Sequence, residues 1–153
     1  LGEKQPWGKW TGWERSTRVP LIMAPPRDVP ANLVTSGARC DQPVNLIDLY
    51  PTLIELCSLK SPPHDLDGIS LVPLLRQPDQ VTERCSMTMF GTGNGSLRTN
   101  RWRFIRYSDG SEELYDLSAD PHEWVNLADK SEHRKVLVKL RAQMAPYLVD
   151  ANP

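Results

Sequence analysis

Between residues 84 and 117 the sequence falls into four short strand-like pieces, "RCSMTMFG", "SLRTN", "RWRFIRYS" and "EELYDL", separated by Gly, Asn and the turn-rich run "SDGSE". Short β-rich runs punctuated in this way predict an antiparallel meander. After a loop, "DPHEWVNLA", the stretch "SEHRKVLVKLRAQMAPYLVD" places Val136, Leu137, Leu140, Met144, Tyr147 and Leu148 at helical spacing. That pattern predicts an amphipathic helix, capped by Ser131, whose apolar stripe covers the sheet.

The first half reads differently. "RVPLIMAP" is a continuous apolar run closed by Pro25 and Pro26, which predicts a strand buried on both faces. Residues 27–38 read as a polar loop or a short exposed strand. In "CDQPVNLIDLYPTLIELCSL" the positions Leu46, Ile47, Leu49, Tyr50, Leu53, Ile54 and Leu56 recur at helical spacing, predicting a core helix that starts at Pro51 after an irregular or 3₁₀ turn. From Lys60 the prolines and Asp-Gly signals predict a loop laid across the larger unit. The joint falls near residues 80–86, giving a division into residues 1–85, the end of an α/β layer, and residues 86–153, a small antiparallel sheet with one covering helix. So little sheet in the first half cannot close a core alone, which predicts further sequence before residue 1.

Composition narrows the function classes. A chain of 153 residues with net charge -1 carries no global bias toward nucleic acid or acidic membranes. No apolar run approaches the roughly 18 residues of a membrane span. Cys40, Cys57 and Cys85 form no CxxC pair and share no zinc spacing with histidine, and are read as buried thiols. His64, His122 and His133 share no metal spacing and are read as solvated. Arg98, Arg101, Arg103 and Arg106 interleave with Trp102, Phe104 and Tyr107, a pattern that could stack bases. Strand alternation argues against it: Arg101, Arg103 and Tyr107 share one face and Trp102, Phe104 and Arg106 the other, so most of the aromatics point away from the first two arginines.

The chain opens "LGEKQPWGKWTGWERSTRVPLIMAP", with no initiating Met, no secretory signal and three tryptophans, Trp7, Trp10 and Trp13. This opening, together with "PVNLIDLYPTLIELC", "LDGISLVPLL" and "EELYDLSADPHEWVNLA", resembles the ordered C-terminal motifs of the type I sulfatase family, in particular its iduronate-2-sulfatase-like bacterial branch. The resemblance covers nearly the whole chain. It implies the C-terminal part of an α/β, alkaline-phosphatase-like sulfatase fold and a sulfuric ester hydrolase acting on a sulfated small molecule or saccharide, with no nucleic-acid or membrane partner. It also implies a periplasmic or secreted protein.

In that family a calcium ion and a formylglycine, made from Cys or Ser in a C/S-x-P/A-x-R motif, lie upstream of the matching stretch, and none of the three cysteines here stands in such a motif. The expectation is a fragment cut just after its second metal-ligand cluster, inactive without its N-terminal part. An alternative is a non-catalytic interaction or carbohydrate-binding domain derived from a sulfatase. Sulfuryl transfer moves charge onto the sulfuryl oxygens, so the site needs fixed cations aimed at them. Lys9, in "WGKWTGWE", matches the family's sulfate-contacting lysine, and Lys4 stands where many relatives carry His. Trp7, two residues before Lys9 in the motif, could stack on a sugar ring, although packing beneath the loop would also explain the tryptophans. Pro6 and Gly95 replace histidines that relatives commonly carry, leaving Asn94 and Arg98 as polar candidates near the substrate. Glu14 and Arg18, four apart, are read as an ion pair, and Asp116, Asp120 and Glu123 as parts of a turn that docks the final helix.

Overall fold

The computed structural model describes residues 4, 8, 10–24 and 34–148. Its helices are α1 (Glu14–Thr17), α2 (Leu49–Leu56), α3 (Val72–Arg76) and α4 (Arg134–Met144), and its strands are β1 (Ser86–Met89), β2 (Gly95–Arg98), β3 (Trp102–Arg106) and β4 (Glu112–Asp116). Two compact units divide the chain, one of residues 1–20 with 85–153 and the other of residues 21–84.

In the first unit the four strands form one antiparallel sheet in sequence order, as the turn residues predict. Gly93 and Gly110 sit in the β1–β2 and β3–β4 connections at φ 73° and 85°, a region that costs a side chain strain and glycine none. Pairing of Leu97 with both Met87 and Phe104, and of Phe104 with Leu114, lines up one apolar face. Against it α4 packs Leu137, Leu140 and Met144, so all six side chains from Leu97 to Met144 in this cluster are buried. Val136 and Leu148 join its edge, while Tyr147 stays 51% exposed at the end of the stripe. Ser131 makes no cap: it begins a 3₁₀ turn, Ser131–His133, that leads into α4.

The other face of the sheet is also covered. Phe90, Ile105 and Tyr115 form a second cluster on which Trp13, Tyr107 and Leu117 pack. The opening segment therefore lies on the sheet opposite α4. Gly12 makes this possible, because a Cβ there would stand 2.8 Å from both the Phe90 ring and Ser96 Cβ.

The stretch from residue 18 to residue 85 departs from expectation in four places. "RVPLIMAP" forms no strand over its described residues 18–24, and Val19 and Ile22 are 58% and 88% exposed. An apolar run becomes a strand only where a neighbour completes its ladder, and no described strand pairs with it. The 3₁₀ turn before the helix is present, at Leu46–Asp48, but the helix is not a core helix: Leu46, Ile47, Tyr50 and Leu53 are exposed and the fully buried side chain is Thr52. The stretch after Lys60, expected as loop throughout, contains α3, which buries Val72 and Leu74. Polar groups organise the second unit. Asp48 accepts from the Asn45 and Ile69 amides at 2.9 and 2.8 Å and from Arg84 Nη2 at 2.7 Å. Thr52 Oγ1 donates to the Asp48 carbonyl at 2.6 Å and accepts the Leu71 amide at 2.8 Å. Cys40 and Cys57 are exposed and Cys85 half-buried, against the expectation of buried thiols.

Candidate functional site

The sheet face beneath the opening segment gathers a cluster of charged side chains of the first unit. Arg103 is central. Alternation along β3 turns it away from the α4 side, and the opening segment buries it to 2% exposure. Its Nη1 donates to Ser96 Oγ at 2.9 Å, Nε to Glu123 Oε1 at 3.2 Å, and Nη2 to Thr17 Oγ1 at 3.0 Å and to Glu14 Oε2. Ser96 Oγ in turn donates to the Gly12 carbonyl at 2.6 Å. Glu123 accepts the Glu14 amide at 2.9 Å through its second oxygen, so the turn at residues 120–123 docks the opening segment. Burial pushes the Glu123 carboxyl up, opposed by the Glu14 amide, Arg103 and Lys4. The Glu14–Arg18 ion pair is present at 3.6 Å, as the spacing predicts.

Lys4 and Arg98, two of the residues singled out in the sequence, approach opposite ends of this network. The Lys4 ammonium stands 4.1 Å from the Tyr115 ring centroid and 4.7 Å from that of Trp13, the geometry of a cation–π contact. Partial burial lowers its pKa, opposed by the negative charge of Glu113, Glu123 and Asp120. Glu113 fixes the aromatic walls: it accepts from Trp13 Nε1 and Tyr115 OH at 2.6 Å each and from Tyr107 OH at 2.9 Å. Burial first, then the Glu113 charge, raises the Tyr107 phenol well above its ordinary range; burial and the Glu113 hydrogen bond do the same for Tyr115. Arg98 donates from Nε to Glu14 Oε2 at 3.3 Å, while its buried Nη1 finds no partner among the described residues.

Asn94 belongs to a different arrangement. It closes the β1–β2 connection, its Oδ1 accepting the Ser108 amide at 3.0 Å and its Nδ2 donating to the Thr92 carbonyl at 3.3 Å. At Gly95 a Cβ would meet Met87 Cε at 2.7 Å and Leu148 Cδ2 at 3.4 Å, so this position faces the α4 side. Trp10 is 78% exposed whereas Trp13 is packed, so these two tryptophans have separate roles. Lys9, Trp7 and Pro6 lie outside the described residues.

Sequence reading did not anticipate Arg103 or Glu123. Their partners lie 89 and 109 residues away along the chain, in Glu14 in both cases, and no local pattern reports such pairs. Among the described residues no three His, Cys, Asp or Glu side chains converge as metal ligands, so these residues do not fit a resident calcium ion. The histidines are dispersed, with His133 set edge-on to Trp102 at 5.5 Å and His122 tilted against Trp124 at 6.4 Å. No helix among the described residues is long and apolar enough to cross a membrane. The arrangement can present cations from a segment clamped on the sheet.

Comparison with known proteins matches residues 2–149 to the family model described as N-sulphoglucosamine sulphohydrolase, C-terminal. A sulfatase of Formosa agariphila is 32% identical over 93% of this chain and 27% of its own length. Human arylsulfatase K is 31% identical over 80% of this chain and 24% of its own. Among solved structures, a 2-O GAG sulfatase superimposes with a TM-score of 0.53 and 31% identity over 66% of this chain and 24% of its own. The chain thus spans about a quarter of the length of the curated relatives it matches. These matches do not single out the iduronate-2-sulfatase-like branch.

Proposed function

This chain belongs to the N-sulphoglucosamine sulphohydrolase C-terminal family of sulfatases, and on that premise we propose that it is the C-terminal part of an enzyme that hydrolyses the sulfate esters of a sulfated carbohydrate. Its fold is α/β, the C-terminal part of the alkaline-phosphatase-like sulfatase fold. The observation that carries the reading is the family match over residues 2–149, which includes the whole opening segment. The 2-O GAG sulfatase supports a sulfated polysaccharide as the substrate class.

Within the whole enzyme, Lys9 holds a sulfuryl oxygen, where an ammonium offers a compact charge and three donors. Lys4, Trp7, Asn94 and Arg98 shape the approach of the sugar, Lys4 from its aromatic seat and Arg98 through Glu14. Calcium and formylglycine supply the electrophilic and nucleophilic chemistry in this family; the described residues do not fit the metal, and both groups belong to sequence outside this chain. Residues 1–85 belong to the large sulfatase domain and residues 86–153 form the small subdomain, on whose sheet residues 12–17 of the former dock. The exposed Leu46, Ile47, Tyr50 and Leu53 support a partner surface for the remainder of the same protein, since a contiguous apolar face of this kind normally meets another surface.

The test is sulfate release from an aryl sulfate and a panel of sulfated saccharides, by the longer protein and by these 153 residues alone. The proposal predicts turnover by the former and none by the latter. Turnover by the isolated chain above a tag-only control contradicts it, and a matured, calcium-loaded longer protein that is inert throughout favours the interaction-domain alternative.

A further inference from the structure

Arg103 spends its donors on three separate pieces of chain: Ser96 on β2, Glu14 and Thr17 on α1, and Glu123 in the turn after β4. Ser96 and Glu123 then hold the same opening segment a second time, through the Gly12 carbonyl and the Glu14 amide. Arg103 and Glu123 side chains are each 2% exposed and Glu14 15%. A buried ion network of this kind is a poor source of net stability, because desolvation offsets much of the attraction and an apolar replacement often serves as well. What a forked guanidinium supplies that an apolar side chain cannot is directional geometry.

We propose that Arg103 is a positioning residue of the sulfatase site, clamping residues 12–17 onto the sheet, and that the turnover supported by Lys9 depends on this clamp. The inference rests on the reading of Lys9 given above. Gly12 lies three residues after Lys9, so the clamp acts across a short tether, and a displacement of about 1 Å at a charge-stabilising group can cost on the order of a hundredfold in rate. Arg103 itself is buried beneath the segment and touches no substrate.

The experiment uses the longer protein with Arg103→Lys and, should that variant not fold, Glu14→Gln. Each is combined with Lys9→Ala, and tryptic cleavage after Arg15 and Arg18 is followed in parallel by mass spectrometry. The clamp predicts that Arg103→Lys lowers kcat about tenfold or more with KM changed less than about threefold, and speeds cleavage after Arg15 and Arg18 about tenfold. In the Lys9→Ala background the same substitution costs less than about threefold, since the two residues act as one unit. Equal losses in both backgrounds, or an unchanged cleavage rate, overturn the proposal. If the unsubstituted enzyme is inert on every sulfate ester, the sulfatase reading fails, and the cleavage rate still decides the clamp by itself.

Discussion

Glu123 holds its backbone at φ 60°, a region that favours glycine, and it is 1% exposed. Its carboxylate explains why a glutamate stands there: it joins Arg103 to the Glu14 amide. Glu123→Ala leaves the Arg103 charge buried with one carboxylate fewer and is expected to cost about 3–5 kcal/mol, read as a lower urea midpoint. Asp116 offers a pH test. The Arg101 guanidinium that hydrogen-bonds it holds its carboxyl at about 2, below the ordinary 3.8, with Ser118 adding to the effect. A depressed carboxyl stabilises the fold fully above the ordinary value and loses that contribution as pH falls toward about 2. The stability difference between the unsubstituted chain and Arg101→Ala should therefore be constant near neutral pH and vanish in that acidic window; a difference that persists below it contradicts the assignment. Residue parity on β3 was legible from alternation, but the burial of Arg103 was not. Burying an arginine needs carboxylates, and those come from segments that no period in the sequence connects.

At the scale of elements, what could be read was what local chemistry dictates. Turn glycines and alternating strands mark out the meander, and the 3.6-residue stripe marks α4. Leu140 is 2% exposed on that stripe, and Leu140→Ala should cost about 2–5 kcal/mol in a denaturant titration. On the opposite side of the same helix Val138 is 59% exposed, and Val138→Ala should stay within about 0.5 kcal/mol. Similar losses at both positions would argue against this packing. The opening segment is the element that local signals hid. Its docking depends on the 2.8 Å approach at Gly12, and Gly12→Ala should destabilise the chain by about 1–3 kcal/mol through the clash with Phe90 and Ser96. "RVPLIMAP" failed as a strand over its described residues, and α2 as a core helix, for one shared reason: apolar periodicity reports what a segment could bury, not whether the described residues offer a surface to bury it.

For the whole molecule, the sulfatase family was legible because four motifs keep one order along the chain, and the family match spans residues 2–149. The geometry of the site was less legible, because it arises where the two ends of the chain meet: Glu14 joins Arg103 and Glu123, and Lys4 sits against Tyr115. On the proposed reading the opening segment contributes the sulfate-holding cation, Lys9. The most direct measurement is steady-state turnover of a sulfated substrate by the longer protein and its Lys9→Ala variant, both matured and folded. A sulfate-holding Lys9 predicts a loss of about a hundredfold or more in kcat, the scale of a lost oxyanion contact. An active enzyme indifferent to Lys9→Ala would leave the family membership standing and contradict the role given to this segment.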